Sequence, residues 1–352
     1  MSNRRPDLTA TATATVTPSL EHLPALYRCM ARIRAFENAA EILSQGGVSA
    51  YNKTADGSAK VRGPLHLSTG QEAVPAGVCA HLTPSDYLTS THRGHGHTLA
   101  KGADLGRMMS ELYGKATGFN GGKGGSMHIA DFSVGMLGAN GVVAAGLPIA
   151  VGAAHAQKLQ GRRAITVCFF GDGAINRGPF LESLNWACVH QLPVLFVCED
   201  NRWSATTASG PMVAGPGAAA RAASLGLQAV QVDGNDVMAV FQQAGELVTH
   251  IRQGGGPRLL HAHTYRVKGH VSVDLAAYRD PAELEAALKT DPMRRAREAF
   301  VTAGGDSAQL DRIEAEADAE VAQSMRDADA APWPDPATAY TDIQTTGEGQ
   351  WF

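Results

Sequence analysis

Residues 169–201 read FFGDGAINRGPFLESLNWACVHQLPVLFVCEDN. An apolar run, Ala164 to Phe170, ends in Gly171-Asp172-Gly173. A second, Pro193 to Cys198, ends in Glu199-Asp200-Asn201, and a helix-like stretch joins them. Short unbroken apolar runs predict strands buried on both faces, and the order strand–helix–strand predicts parallel pairing. Open parallel sheets gather ligands beyond the carboxyl ends of their strands, so Asp172 and Asn201 are delivered to one rim. Their carboxylate and amide oxygens are hard donors suited to Mg²⁺, which usually takes further oxygens from phosphate and water. Gly171 and Gly173 let the backbone come close to such a phosphate. The stretch reads as a site for a magnesium-bound diphosphate.

The remainder of the chain supplies more of the same architecture. Leu20 to Ser44, Gln71 to His81, Asp104 to Tyr113 and Pro148 to Leu159 have helical patterning. Ala229 to Val232 and Arg258 to Tyr265 read as strands, and Asn235 or Asp236 caps a helix over Val237 to Gln253. Strands alternating with helices predict an α/β fold, a parallel sheet with helices on both faces. A single domain over 20–331 is expected, ending in a charged helical region. The Thr/Ala/Pro-biased residues 1–19 are expected to form a mobile tail, and 332–352 a Pro-rich tail.

Bulk properties exclude several function classes. The chain has 352 residues, 44% hydrophobic and 18% charged, enough for a large core. A net charge of −4 without a basic block argues against nucleic acid as a partner. No run of about twenty apolar residues suggests a membrane span, and the N-terminal segment lacks the apolar core of a secretory signal. The five cysteines, Cys29, Cys79, Cys168, Cys188 and Cys198, have no metal-like spacing and are expected as small core residues in a reducing, cytoplasmic setting.

Three glycine-rich patches carry further candidates. In Thr91-His92-Arg93-Gly94-His95-Gly96-His97, Arg93 offers a fork suited to a diphosphate. Zinc binding by His92, His95 and His97 is an alternative, and histidines satisfying loop backbone are another. Gly121-Gly122-Lys123-Gly124-Gly125-Ser126 lacks the spacing of a nucleotide-triphosphate loop. Gly138-Ala139-Asn140-Gly141-Val142-Val143 lets main-chain groups reach the edge of a flat heterocycle, or is an ordinary turn. His66 precedes a helix start. His270 follows the last core strand, on the rim of Asp172 and Asn201, where imidazole can bind phosphate or relay protons.

Taken together, GPLHLSTGQEA, STHRGHGHTLAKG, GKATGFNGGKGGSMHIADFSVGMLGANGVV, the GDG-to-Asn run, and TYRVKGH with AYRDPAELEAALKTDPM resemble the alpha subunit of thiamine-diphosphate-dependent 2-oxo acid dehydrogenases. The resemblance runs from about Leu23 to Met293, and its phrases look most like the acetoin branch. It implies a thiamine-diphosphate-binding fold. It also implies Mg²⁺ on Asp172, Asn201 and the main-chain oxygen of Trp203. The diphosphate would lie on His92, Arg93, Gly173, Ala174 and His270, and the aminopyrimidine on main-chain atoms of Gly141 and Val143. His66 and His270 would take the catalytic places, and His128 would support the wall.

The implied reaction is cleavage of acetoin or decarboxylation of a pyruvate-like 2-oxo acid, with transfer of the acyl unit to a lipoyl group. A branched-chain substrate and a non-catalytic homologue are the alternatives. A self-sufficient thiamine enzyme is disfavoured by chain length. In the family the activating Glu belongs to a beta subunit, so the resemblance implies an alpha2beta2 assembly with a lipoyl-bearing acyltransferase as further partner. Glu182 is expected in an interface or structural role. Four places depart from the family pattern: Asp200 stands for Asn, His92 for Tyr, Lys268 for an aromatic or His, and Val271 for Ser. The segment Val48 to Arg62 is longer and more polar than usual before GPLH.

Overall fold

The computed structural model describes residues 9–11, 19–47 and 55–341. In chain order the elements begin with β1 (Thr9–Thr11), α1 (Leu23–Leu43), α2 (Ala73–Cys79), β2 (Tyr87–Thr89), α3 (Gly94–Ala100), α4 (Leu105–Leu112), β3 (Met136–Gly138) and α5 (Gly146–Leu159). The central unit is β4 (Thr166–Gly171), α6 (Gly178–His190) and β5 (Val194–Asp200), followed by a hairpin of β6 (Trp203–Ser204) and β7 (Thr207–Ala208). Then come α7 (Ala218–Ser224), β8 (Ala229–Asp233), α8 (Val237–Arg252), β9 (Arg258–His263), α9 (Pro281–Leu288), α10 (Pro292–Thr302) and α11 (Ser307–Ala330).

Seven strands form one sheet in the order β1-β8-β9-β5-β4-β2-β3, every pairing parallel. Strand side chains alternate between faces. Accordingly Val167, Phe169, Leu195 and Val197 join one core with residues of α1, α2, α4 and α8. Cys168, Phe170, Phe196 and Cys198 join a second core with α5, α6 and α7. The parallel sheet with helices on both faces is therefore present, and the unbroken apolar runs follow from burial on both sides. A third cluster lies among helices, where Leu23, Tyr27 and Met30 of α1 meet Phe300 of α10 and Leu310 and Ile313 of α11.

Helix starts follow local chemistry. Asp104, Asp236, Asp280, Asp291 and Asp306 each accept a first-turn N–H as N-caps. Of the two caps considered for α8, Asp236 is the one used. Among the described residues no helix is long and apolar enough to cross a membrane. Cys79, Cys168 and Cys198 are buried, Cys29 and Cys188 are half-buried, and all five are free.

The structure departs from the sequence expectations at both ends. Thr9–Thr11, inside the expected mobile tail, pair in parallel with Ala229–Gln231 as an edge strand. Backbone pairing supplies what the composition of that segment does not advertise. Residues 332–341, expected as tail, fold back on the chain after α4. Ala116 donates to the Pro332 carbonyl at 3.0 Å, and Lys115 Nζ lies 4.3 Å from the Trp333 ring centre. In the Val48–Arg62 segment, 48–54 lie outside the described residues, while Ala59 and Val61 are buried.

One buried carboxylate fixes the sheet's middle. Asp86, fully buried, accepts from Thr83 N at 2.7 Å, Ile165 N at 2.9 Å and the Arg252 guanidinium at 2.5 and 3.0 Å. It thereby ties the start of β2 to β4 and to the end of α8. Burial alone would raise its pKa, but the bonds from Arg252, Ile165 and Thr83 outweigh it and hold the carboxyl below its ordinary value. Asp86→Ala is expected to destabilise the fold by about 3–5 kcal/mol, the cost of stripping one partner from a buried pair, as measured by urea unfolding. In the parent, Asp86's contribution is fully present above about pH 3.9, the unfolded carboxyl's value. It is lost as pH falls through the lower folded value.

Candidate active site

The carboxyl ends of β2, β4 and β5 open onto a cavity of about 210 Å³. Its wall includes every residue expected to hold the cofactor or its metal or to be catalytic: His66, His92, Arg93, Gly141, Val143, Asp172, Gly173, Ala174, Asn201, Trp203 and His270. These come from six separate segments, so their convergence is a product of the sheet topology. His128 stands just outside, its ring 3.8 Å from where a side chain on Gly141 would begin.

Two guanidiniums dominate the electrostatics. Arg93 is almost wholly buried and donates to the Leu67 carbonyl at 2.8 Å and the His270 carbonyl at 3.0 Å. Arg266, also in the wall, is 1% exposed and donates to the Ala205 carbonyl at 2.7 Å, while its Nε has no partner. Among the described residues neither has a carboxylate at ion-pair distance. Burial, with the neighbouring Arg266, pushes Arg93 down to about 9, and burial, with Arg279, pushes Arg266 down to about 10. Both remain cationic at neutral pH, so the cavity holds buried positive charge without a matching anion.

Three histidines share this field. The ring centres of His66, His92 and His270 lie 4.6, 4.8 and 5.6 Å apart. Burial, and then the charge of Arg93, pushes their pKa values down to about 3, 2 and 4 respectively. All three are neutral at pH 7. The neighbouring guanidiniums make this cluster a poor cation site. Arg93 Nη2 sits 3.1 Å from His270 Nδ1. Guanidinium only donates, so Nδ1 must accept and the imidazole proton belongs on Nε2. The Nδ1 of His66 is buried and unpartnered.

On the opposite wall Asp172 is buried and accepts from the Ser209 hydroxyl. Burial pushes its carboxyl up to about 6, and Asp200 adds to the rise. Asn201 donates from Nδ2 to Gln71 Oε1 at 2.9 Å, and its Oδ1 accepts from Trp203 N at 3.1 Å. Gln71 thus sets which way the amide faces. Arg202 and Ala205 take positive φ, 68° and 50°, bending the chain into the β6–β7 hairpin that sets Trp203 in the wall. Trp203 Nε1 is anchored on Glu283 at 2.8 Å. Asp200 points away from the cavity toward His261 and His263, so its extra charge is met there. Lys268 pairs with Glu41 at 2.7 Å.

The patch around Arg93 runs into a short helix, α3, so the histidines of that helix are not loop residues. His95 and His97 leave it in opposite directions. His95 joins Glu37 at 3.0 Å to Ser126 at 2.9 Å. His97 joins Glu199 at 3.1 Å to Ser90 at 2.7 Å and stacks on Phe169. Neither meets His92, so the zinc reading of the three falls away and they serve as internal struts. The 121–126 patch has an unexpected organiser in buried Glu111. Its two oxygens accept from the backbone of Asn120, Gly122, Gly124 and Gly125 at 2.8–3.0 Å. Gly122 and Gly125, at φ 79° and 61°, permit the wrap.

Sequence reasoning missed Arg266, Gln71, Ser209 and Glu111. Arg266 carried a usable signal, a cation directly beyond an apolar strand exit. Gln71 and Ser209 carried none, because their partners are distant in the chain.

The chain is thus an α/β protein whose rim cavity carries buried positive charge, and comparison with known proteins places it. The chain belongs to the dehydrogenase E1 component family, whose model matches residues 52–337. It is 41% identical over 324 residues, 92% of this chain and 93% of the relative, to the alpha subunit of acetoin:2,6-dichlorophenolindophenol oxidoreductase of Bacillus subtilis. It is 42% identical over 326 residues, 92% of this chain and 94% of the relative, to the subunit of the same name in Cupriavidus necator. It is 39% identical over 283 residues, 78% of this chain and 82% of the relative, to the pyruvate dehydrogenase E1 component subunit alpha of Porphyra purpurea.

Arg266→Gln is expected to weaken binding of inorganic diphosphate by about 1.5–3 kcal/mol, the worth of a charged hydrogen bond, as measured by calorimetry. Glu111→Gln leaves donors of the glycine loop unpaired. It should raise amide exchange at Gly122 and Gly124 and cost about 1–3 kcal/mol of stability.

Proposed function

We propose that this chain is the alpha subunit of a thiamine-diphosphate-dependent dehydrogenase. It cleaves acetoin or decarboxylates a pyruvate-like 2-oxo acid, and the acyl unit passes to a lipoyl group. The observation that carries this reading is the pairing, in one cavity, of two buried guanidiniums lacking an anion with an aspartate and an asparagine lacking a cation. A magnesium diphosphate answers both needs at once.

The residues present fit that group. Asp172, the Asn201 amide oxygen and the Trp203 carbonyl would hold Mg²⁺. Arg93, Arg266, His92 and the Nε2 proton of His270 would hold the diphosphate, with the backbone of Gly173 and Ala174 beside it. Gly141 and Val143 would meet the aminopyrimidine, and the apolar Met127 and Leu147 line the same cavity. When bound, thiamine diphosphate supplies the electron sink for a carbanion next to a carbonyl. The chain's own part is to orient the diphosphate, exclude water from the apolar wall, and offer neutral imidazoles at His66 and His270. An imidazole kept neutral at pH 7 can donate one proton and accept another without adding charge to a cationic site.

The site lacks an acid for activating the aminopyrimidine. Among the described residues Asp172 is the only carboxylate in the cavity wall, and it is committed to the metal. We assign the activating Glu to a beta subunit, in an alpha2beta2 assembly that also meets a lipoyl-bearing acyltransferase. Exposed apolar residues support a partner. Val142 and Val143 stand at the cavity lip, and Ile149 of α5 with Leu181, Trp186 and Val189 of α6 are 44–67% exposed. Glu182 lies on this exposed side of α6, outside the cavity. The free, largely buried cysteines agree with a cytoplasmic location.

Asp172→Ala should abolish Mg²⁺-dependent binding of thiamine diphosphate while circular dichroism stays unchanged. Retained affinity in calorimetry would refute the metal assignment. The lone chain should show no turnover with acetoin, pyruvate or branched-chain 2-oxo acids and an artificial electron acceptor until a beta subunit is added. Robust activity of the lone chain would sink the split-site reading. Val189→Asp should weaken assembly with that subunit, seen as a shift to smaller mass in size-exclusion chromatography, without unfolding the chain.

A further inference from the structure

A second cluster of donors lies beyond the cavity, on the other side of β5. His261 and His263 are two residues apart on β9 and so share a face of the sheet. Asp200, at the end of β5, is the register partner of His263. Asp200 Oδ2 lies 2.9 Å from His261 Nε2 and 3.5 Å from His263 Nδ1, and all three ligand atoms fall within 4.8 Å of one another. Around a tetrahedral ion with bonds of about 2.1 Å, donors sit about 3.4 Å apart. The cluster is therefore close to ligating geometry as it stands.

Its surroundings suit an ion. The other ring nitrogen of His263, Nε2, lies 3.0 Å from Gln231 Oε1 on the adjoining strand β8. A hydrogen bond there holds the proton on Nε2 and leaves Nδ1 free to ligate, as outer partners of metal-bound histidines do. Two open clefts of about 580 and 550 Å³ meet at the cluster, the first lined by Asp200 and His261 and the second by His263 and Gln231. Water and an ion can reach it. Asp172 and Glu283 also line the first cleft, with Arg202 as the cation shared by both clefts.

We propose that Asp200, His261 and His263 form a binding site for a divalent transition ion of the zinc or cobalt type, separate from the magnesium position. Two imidazoles and one carboxylate favour such ions over Mg²⁺, and three protein ligands leave a position for water. The ion joins the ends of β5 and β9, the strands that run on into Asn201 and Arg266.

The test is a Co²⁺ titration of the full-length chain, stripped with a chelator and kept in excess Mg²⁺. A saturable visible absorption band typical of low-coordinate cobalt, displaced by Zn²⁺, is expected. His263→Ala should lose the band. Because this side chain is 45% exposed, the variant should keep its circular dichroism. Gln231→Ala should bind about 10–100-fold more weakly. Asp172→Ala should keep the band, which separates this site from the magnesium position. No saturable binding by the parent, an unchanged band in His263→Ala, or a band lost only in Asp172→Ala would each overturn the proposal.

Discussion

A parallel sheet covered on both faces leaves little room for unpaired polar side chains along its middle strands. In β4 and β5 every side chain from Thr166 to Phe170 and from Val194 to Glu199 is buried. Chemistry is thereby confined to the rim where the strands end and the backbone leaves the layer. Gly171, Asp172, Asp200 and Asn201 stand at that edge, and the start of α5 lines the cavity there. Asp86, Glu111 and Asp236 are fixtures of this same frame, each a carboxylate spent on backbone amides that the sheet, a glycine loop or a helix start leaves unpaired.

The cavity is electrostatically unsatisfied in two opposite senses. Its cations are pushed toward losing their protons, Arg93 to about 9 and Arg266 to about 10. Its aspartate is pushed toward keeping one, at about 6. Burial is the first cause in all three, and each shift marks a charge held out of water without a sufficient counter-charge. A ligand bearing an anion toward one wall and a cation toward the other relieves both at once. The histidines add directional donors without adding charge, which a site already carrying two guanidiniums can tolerate.

Much of the site was legible because its residues sit at positions with a local signal. Asp172 and Asn201 end apolar runs, Arg93 and Gly141 lie in glycine-rich punctuation, and His270 follows a strand exit. GHGHTLA carried loop backbone as one alternative, yet it is a helix in which Gly94 and Gly96 are small because Ala139, Ser68 and Ile33 press against them. The second glycine patch likewise answers to Glu111, a carboxylate nine residues upstream of the first amide it binds. Edge strands such as Thr9–Thr11 and Met136–Gly138 are three residues long, too short to print a period.

By itself the sequence determined the layer architecture, since hydrophobic period and length are local properties that survive any change of neighbours. It also determined that a carboxylate and an amide would share one rim, because parallel strands point their carboxyl ends the same way. Only the tertiary structure decided what surrounds them. The turn of the Asn201 amide depends on Gln71, 130 residues away in sequence. The tautomer of His270 depends on Arg93, 177 residues away. Asp200 faces His261 and His263 instead of the cavity because β5 and β9 are neighbours in a register no local pattern specifies. Contacts of that range are set by which strands pair and which helices cover them, so they enter only once the chain is folded.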